Sequence, residues 1–154
     1  MQTIALAVFL VLCYGAGFLG QLATTPNIPT WYAALEKPSF NPPDAVFPIV
    51  WGILYAVMAI AAWLIWRSPP SRARTIALTL FAVQLFFNVA WSWIFFGVQN
   101  PPLGFVVIVV LVVAIAATVI AFGKVVREAA LMLLPYLAWV VFATVLNAAI
   151  VALN

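Results

Sequence analysis

The side chains best placed to act together are aromatics and carboxamides recurring at helical spacing. Gln84, Asn88, Trp91 and Phe95 follow i, i+4, i+7 and i+11, and Trp51, Tyr55, Met58 and Ala62 repeat it. Tyr136, Trp139, Ala143 and Asn147 form a third stripe, and Tyr14, Phe18 and Gln21 a shorter fourth. Each set falls on one face of a helix. Trp91 and Trp139 lie well inside apolar segments, where an indole N–H needs a partner. Indoles beside Asn, Gln and Tyr describe an apolar pocket with a few oriented polar contacts, the general form of a small-molecule site. Flat aromatic ligands suit such walls. Each stripe alone also fits plain packing: Asn88 and Asn147 could bond across helices, worth on the order of 1 kcal/mol.

What is missing narrows the chemistry further. The chain has no histidine, which removes the commonest metal and haem-iron ligand and the usual general base near neutral pH. Its single cysteine, Cys13, allows no internal disulfide and reads as a small core filler. Glu36, Lys37, Asp44, Arg67, Arg72, Arg74, Lys124, Arg127 and Glu128 all fall in loops or at segment ends. No ionisable group is left to hold a coupling ion in mid-membrane, to line a charged pore or to pair carboxylates for hydrolysis. A net charge of +3, scattered along the chain, does not suit nucleic acid.

These residues must be positioned by helices in a membrane. With 68% hydrophobic and 6% charged residues, the 154-residue chain cannot cover itself with polar surface. The sequence predicts an all-α polytopic membrane protein, a single domain over 1–154 with five spans near 4–23, 44–66, 75–97, 103–123 and 129–152. The fourth is rich in Val and Ile, but its length and lack of polar alternation override strand propensity. Pro135 falls in the first two turns of the fifth, where a kink costs little. Trp63 and Trp66 beside Arg67 read as an interfacial belt. Positive charges divide five to one: the 67–74 and 124–128 loops carry all but Lys37. That bias sets the N-terminus and both basic loops in the cytoplasm, with the 24–43 loop and the C-terminus outside.

The 24–43 loop holds more than a connector needs. Thr30 is expected to cap a short helix, "WYAALE", with Trp31, Tyr32 and Leu35 on its apolar face. "KPSFNPP" then runs extended, and Pro42 and Pro43 lead into the second span with Asp44 in its first turn. A stiff loop with an aromatic face fits a lid over the bundle, or a rigid interfacial anchor.

Four motifs, "WYAALEKPSFNPP", "FPIVWGILYAVM", "QLFFNVAWSWIFF" and "PYLAWVVFATVLN", in this order and spacing, resemble the TspO/MBR family of tryptophan-rich sensory and translocator proteins. The resemblance covers nearly the whole chain. It implies a five-helix bundle, commonly dimeric, whose first loop covers a ligand cavity. It also implies porphyrin ligands, protoporphyrin IX or haem, bound without an obligatory cofactor or resident metal. Carried over by motif, the ligand-binding residues are Trp31, Tyr32, Trp51, Tyr55, Asn88, Trp91, Trp139, Phe142, Ala143 and Asn147. A homodimer is expected, with Gly15, Gly17 and Gly20 as small residues for a helix interface. Helical spans favour a bacterial inner membrane, although some family members are placed in an outer one.

Three readings of function compete. The leading one is a receptor, sensor or carrier of tetrapyrroles and related flat hydrophobic molecules. The second is a light- and oxygen-dependent porphyrin-degrading enzyme, with Trp51 and Trp139 as the oxidisable catalytic residues. The third is an uncoupled facilitator of hydrophobic ligand transport. No Lys or Arg follows Tyr136 within five residues, so the Tyr-plus-basic string associated with sterols is absent. Without histidine, recognition is expected through the macrocycle face and the propionates, with Lys37 and loop amides as propionate partners.

Overall fold

Apolar runs of this length leave the backbone no partner but itself. All five expected spans are helical in the computed structural model, which describes residues 2–154, Gln2 by its backbone alone. The helices are α1 (Gln2–Thr24), α2 (Val46–Arg67), α3 (Arg72–Ser92), α4 (Pro101–Gly123), α5 (Arg127–Met132) and α6 (Leu134–Leu153). No strand occurs among the described residues. The fifth span is α5 and α6 together, parted at Leu133 just before Pro135. A proline there removes one amide donor and crowds the carbonyl four residues back, which accounts for the break.

One span outruns its expected end, and two change their winding near it. Helical winding continues from α1 through a 3-10 turn, Thr25–Asn27, and a π-turn, Ile28–Tyr32. Thr30 therefore does not cap a new helix. Its hydroxyl donates back to the Pro26 carbonyl at 3.2 Å. Winding that departs from the α-helix fits a segment where Pro26 and Pro29 each remove a donor. A second π-turn, Trp93–Gly97, extends α3, with the Val98 amide bonded to the Trp93 carbonyl at 2.8 Å. Both Phe95 and Phe96 are buried there. The proline segment is not uniformly extended either, because the Asn41 amide closes a turn on the Pro38 carbonyl. Asp44 precedes α2 rather than entering its first turn.

α1 corrects another expectation. Phe18 faces outward and is 61% exposed. Tyr14 and Gln21 are exposed as well, but the Tyr14 hydroxyl donates to the Gly52 carbonyl of α2 at 2.8 Å and Gln21 borders the cavity near the long loop. The buried face carries Cys13, Ala16, Gly17, Gly20 and Ala23 instead. Helices in lipid pack through small residues that let backbones approach, since burying bulk gains little over facing lipid. Gly17 and Gly20 serve this inside the bundle. A Cβ on Gly17 would lie 2.6 Å from the Tyr55 ring, and one on Gly20 would lie 3.1 Å from Ser92 Oγ. Only Gly15 of the three has open space beside it.

The bundle is solid at one end and hollow at the other. Toward the basic loops, Met58, Ala62 and Ile65 of α2 pack with Ile115 and Phe122 of α4 in a closed core. α2 meets the fifth span mainly through α5 and diverges from α6 toward the long loop. Between these halves runs a buried polar chain. Tyr55 Oη donates to Asn88 Oδ1 at 2.8 Å, and Asn88 Nδ2 donates to Tyr136 Oη at 3.0 Å. Tyr136 Oη in turn donates to Gln84 Oε1 at 2.7 Å. The chain ties α2, α3 and α6 together at one level. Tyr136→Phe leaves Gln84 without its donor and Asn88 without its acceptor, so it should lower stability by about 1–2 kcal/mol. Thermal unfolding in detergent, compared with an exposed Phe86→Leu control, measures the difference.

Candidate functional site

Above the polar chain, the divergence of α2 from α6 leaves a cavity of about 370 Å³. Three tryptophans wall it: Trp51 from α2, Trp91 from α3 and Trp139 from α6. Phe47, Phe95 and Ala143 complete these faces, and Ile28 and Tyr32 reach in from the loop. Trp51 stacks on Tyr55 with ring centroids 5.5 Å apart and planes 28° from parallel. It also meets Tyr136 edge-on at 6.2 Å. Trp51 is thus seated on two members of the polar chain, so the network that sets the helix rotations also sets this wall.

The indole donors fare differently. Trp91 Nε1 donates to Asn147 Oδ1 at 3.2 Å, and Asn147 Nδ2 donates to the Pro101 carbonyl at 3.0 Å. This second relay joins α3, α6 and the start of α4. Gly104 permits it, because a Cβ there would lie 3.1 Å from Phe95 and 3.3 Å from Asn147 Oδ1. Trp139 Nε1 is buried and has no partner, alone among buried side-chain polar atoms of the described residues. An unmet donor costs about 1–3 kcal/mol, and native structures leave few of them.

The expected site residues divide into groups. Tyr32, Trp51, Tyr55, Trp91, Trp139, Ala143 and Asn147 line the cavity together. Asn88 does not reach it, being spent on the two tyrosines beneath. Trp31 packs behind the wall, its ring 5.6 Å from Phe95 and 6.3 Å from Phe96. Phe142 lies outside, between Phe40 and Trp139. Lys37 turns away altogether. Its ammonium donates to the Ala33 and Leu35 carbonyls and sits 4.7 Å over the Tyr32 ring. No basic side chain lines the cavity, whereas Asp44, exposed at its edge, does. A signal existed for Asp44, as the acid that directly follows the long loop. The α1 stripe pointed to Gln21, which borders the cavity, whereas Ser92, also on the lining, had no such signal because its place depends on how α3 lies against α1.

For haem, the lining offers a macrocycle face and little for the iron. It contains no imidazole, thiol or thioether. The Tyr32 hydroxyl is bonded to Asn41 and the Tyr55 hydroxyl to Asn88. Cys13 and Met58 are fully buried in the core below.

The loop over the cavity is pinned on two sides. Gln99, at a positive φ of 56°, donates from Nε2 to Asn27 Oδ1 at 2.9 Å. Asn154 makes a paired contact with Glu36: its Oδ1 accepts from the Glu36 amide and its Nδ2 donates to the Glu36 carbonyl, each at 3.0 Å. The end of α6 thereby clasps the segment that follows Tyr32.

Comparison with known proteins follows the same lines. The family model for the TspO/MBR family matches residues 9–153. The chain is 42% identical to the tryptophan-rich protein TspO of Chlorobaculum tepidum, over 99% of this chain and 98% of that one. It is 36% identical to the tryptophan-rich sensory protein of Cereibacter sphaeroides, covering 95% and 89% of the two chains. It is 40% identical to the translocator protein of Homo sapiens, covering 76% and 70%.

The clasp makes a local prediction. Asn154→Ala should speed hydrogen exchange at the Glu36 amide and its neighbours several-fold, while the amides of α2 and α3 keep their protection. Exchange read by mass spectrometry on the intact chain in micelles distinguishes the two regions.

Proposed function

The chain belongs to the TspO/MBR family and is an integral membrane protein, and we propose that it is a receptor or carrier binding tetrapyrroles and similar flat hydrophobic molecules in the aromatic cavity. The observation that carries this reading is the convergence of Trp51, Trp91 and Trp139 with Tyr32 on one space roofed by the loop. Indole faces offer a planar ring dispersion and stacking without demanding a particular charge. The unmet Trp139 N–H supplies a donor that a pyrrolic or carbonyl acceptor could engage after a small ring rotation.

The charge at the edge refines the ligand. With Asp44 on the lining and Lys37 committed elsewhere, a propionate inside the cavity would meet repulsion and no cation. A tetrapyrrole is therefore held by its macrocycle, with its carboxylates directed out past the loop, and neutral flat molecules are favoured over anionic ones. On this reading the helical spans sit in a bacterial inner membrane, and the positive-inside bias turns the basic end toward the cytoplasm. A homodimer would not use Gly17 and Gly20, which abut Tyr55 and Ser92 inside the bundle.

One observation favours a second reading: both Trp51 and Trp139 line the cavity, so a photoexcited porphyrin there would lie against two oxidisable rings. Under that reading, light and oxygen act through the ligand and the protein supplies the reductant side chains.

Titration of purified protein with protoporphyrin IX in the dark should quench Trp fluorescence saturably. Trp51→Phe with Trp139→Phe should weaken that binding about tenfold or more, as two smaller ring faces and the loss of the Trp139 N–H imply. An unchanged affinity places the site elsewhere. Illuminating the same sample separates the readings, because protein-dependent loss of the porphyrin band, absent in the double variant, favours the photochemical one. Asp44→Asn should tighten protoporphyrin IX binding up to about fivefold at low salt, the range of an exposed charge interaction, and leave a neutral ligand unaffected.

A further inference from the structure

The other end of the molecule carries a groove that the cavity does not explain. Arg72, Ile76 and Leu80 lie along α3, Ala117 and Ala121 along α4 and Lys124 just past its end, and together they line a furrow of about 450 Å³. These two helices make the most extensive contact in the bundle. The furrow persists because alanines form its floor, while Ile76 and Ile120 stand at its edges, 47% and 62% exposed. Behind it the Phe81 and Phe122 rings stack at 6.0 Å and close off the core. It therefore opens sideways, toward lipid. From Arg72 to Leu80 it runs about 12 Å at the rise of an α-helix.

Its charged end differs from the rest of that surface. Arg67 lies 4.5 Å over the Trp63 ring. Arg74 lies 4.6 Å over Trp66 and donates to the Ser68 carbonyl at 3.1 Å. Arg72, Lys124 and Arg127 make no side-chain hydrogen bond or ion pair among the described residues and all three are exposed, but only Arg72 and Lys124 line the furrow. Glu128, the one acid near this end, pairs with neither. Two unengaged cations thus flank the mouth of an apolar furrow at the depth of a bilayer interface.

We propose that this furrow is a binding site for an anionic glycerophospholipid, with the phosphodiester between Arg72 and Lys124 and one acyl chain along Ile76 and Leu80. Charge complementarity selects the headgroup, since two cations with no acid between them oppose a zwitterionic amine and favour a net negative lipid. The furrow's length of about 12 Å accommodates the first part of an acyl chain. The site is separate from the aromatic cavity, so it stands or falls independently of the tetrapyrrole reading.

Native mass spectrometry of the full chain, released from micelles holding equal phosphatidylglycerol and phosphatidylcholine, tests it. The unaltered protein should retain phosphatidylglycerol preferentially. Arg72→Gln with Lys124→Gln should reduce that preference about thirtyfold, what two interfacial basic side chains are together worth. Arg127→Gln, at the same end but outside the furrow, should leave most of it. Ala117→Leu, which fills the floor without touching a charge, should reduce retention as well. Equal retention of the two lipids overturns the proposal. So does an equal effect of Arg127→Gln, or an Ala117→Leu variant that binds normally, because either means diffuse electrostatic attraction rather than a built site. A lipid-free dimer that dissociates on Ala117→Leu would assign the furrow to a second copy and overturn it too.

Discussion

Helices that share a bilayer gain little by hiding apolar surface from one another, so something other than hydrophobicity has to set their rotation. Here the chain of hydrogen bonds through Tyr55, Asn88, Tyr136 and Gln84 does so. No water competes for these groups at that depth, and a rotation of α2, α3 or α6 would strand at least one of them. With the rotations set, the residues one or two turns nearer the long loop have no freedom to face elsewhere. Trp51, Trp91 and Trp139 are brought onto one space because the tyrosines and amides beneath them are satisfied only in that arrangement. The polar chain and the cavity are one construction, with the lower part holding and the upper part open.

The loop completes it by different means. Prolines at 26, 29, 38, 42 and 43 remove donors and limit backbone freedom, so the segment costs less entropy to order than its length implies. What then fixes it is polar and local: Asn27 with Gln99 on one side, Asn154 with Glu36 on the other. Tyr32 is seated between, its ring against Phe95 and Phe96 and its hydroxyl on Asn41. Tyr32 is thereby part of an apolar cluster with Phe95, Phe96, Leu146 and Ile150, which seats the loop on the bundle.

The two ends have opposite electrostatic character for the same reason that they differ in packing. At the loop end Lys37 is folded back onto the carbonyls of its own helical turn, leaving Asp44 as the charge at the cavity edge. At the basic end two arginines rest on tryptophans, an amphipathic arrangement that anchors a helix at the level of the headgroups. The cations that remain are the ones available to lipid.

The sequence by itself determined the membrane class, the five spans and the stripes on α2, α3 and α6, because each depends on composition and on a repeat that any helix must obey. It also pointed to seven of the residues that line the cavity. It could not show that Gln84 and Asn88 belong to the network while Trp91 and Phe95 belong to the cavity. One stripe serves both, and only the height of the partner helices divides it. Periodicity misled on α1, where large residues mark the inward face of a soluble helix but small ones mark it in lipid. The turns beyond Thr24 and Ser92, the clasp at Asn154, and the reversed roles of Lys37 and Asp44 were decided by tertiary structure alone. Each depends on groups distant in the chain, whose meeting no local pattern encodes.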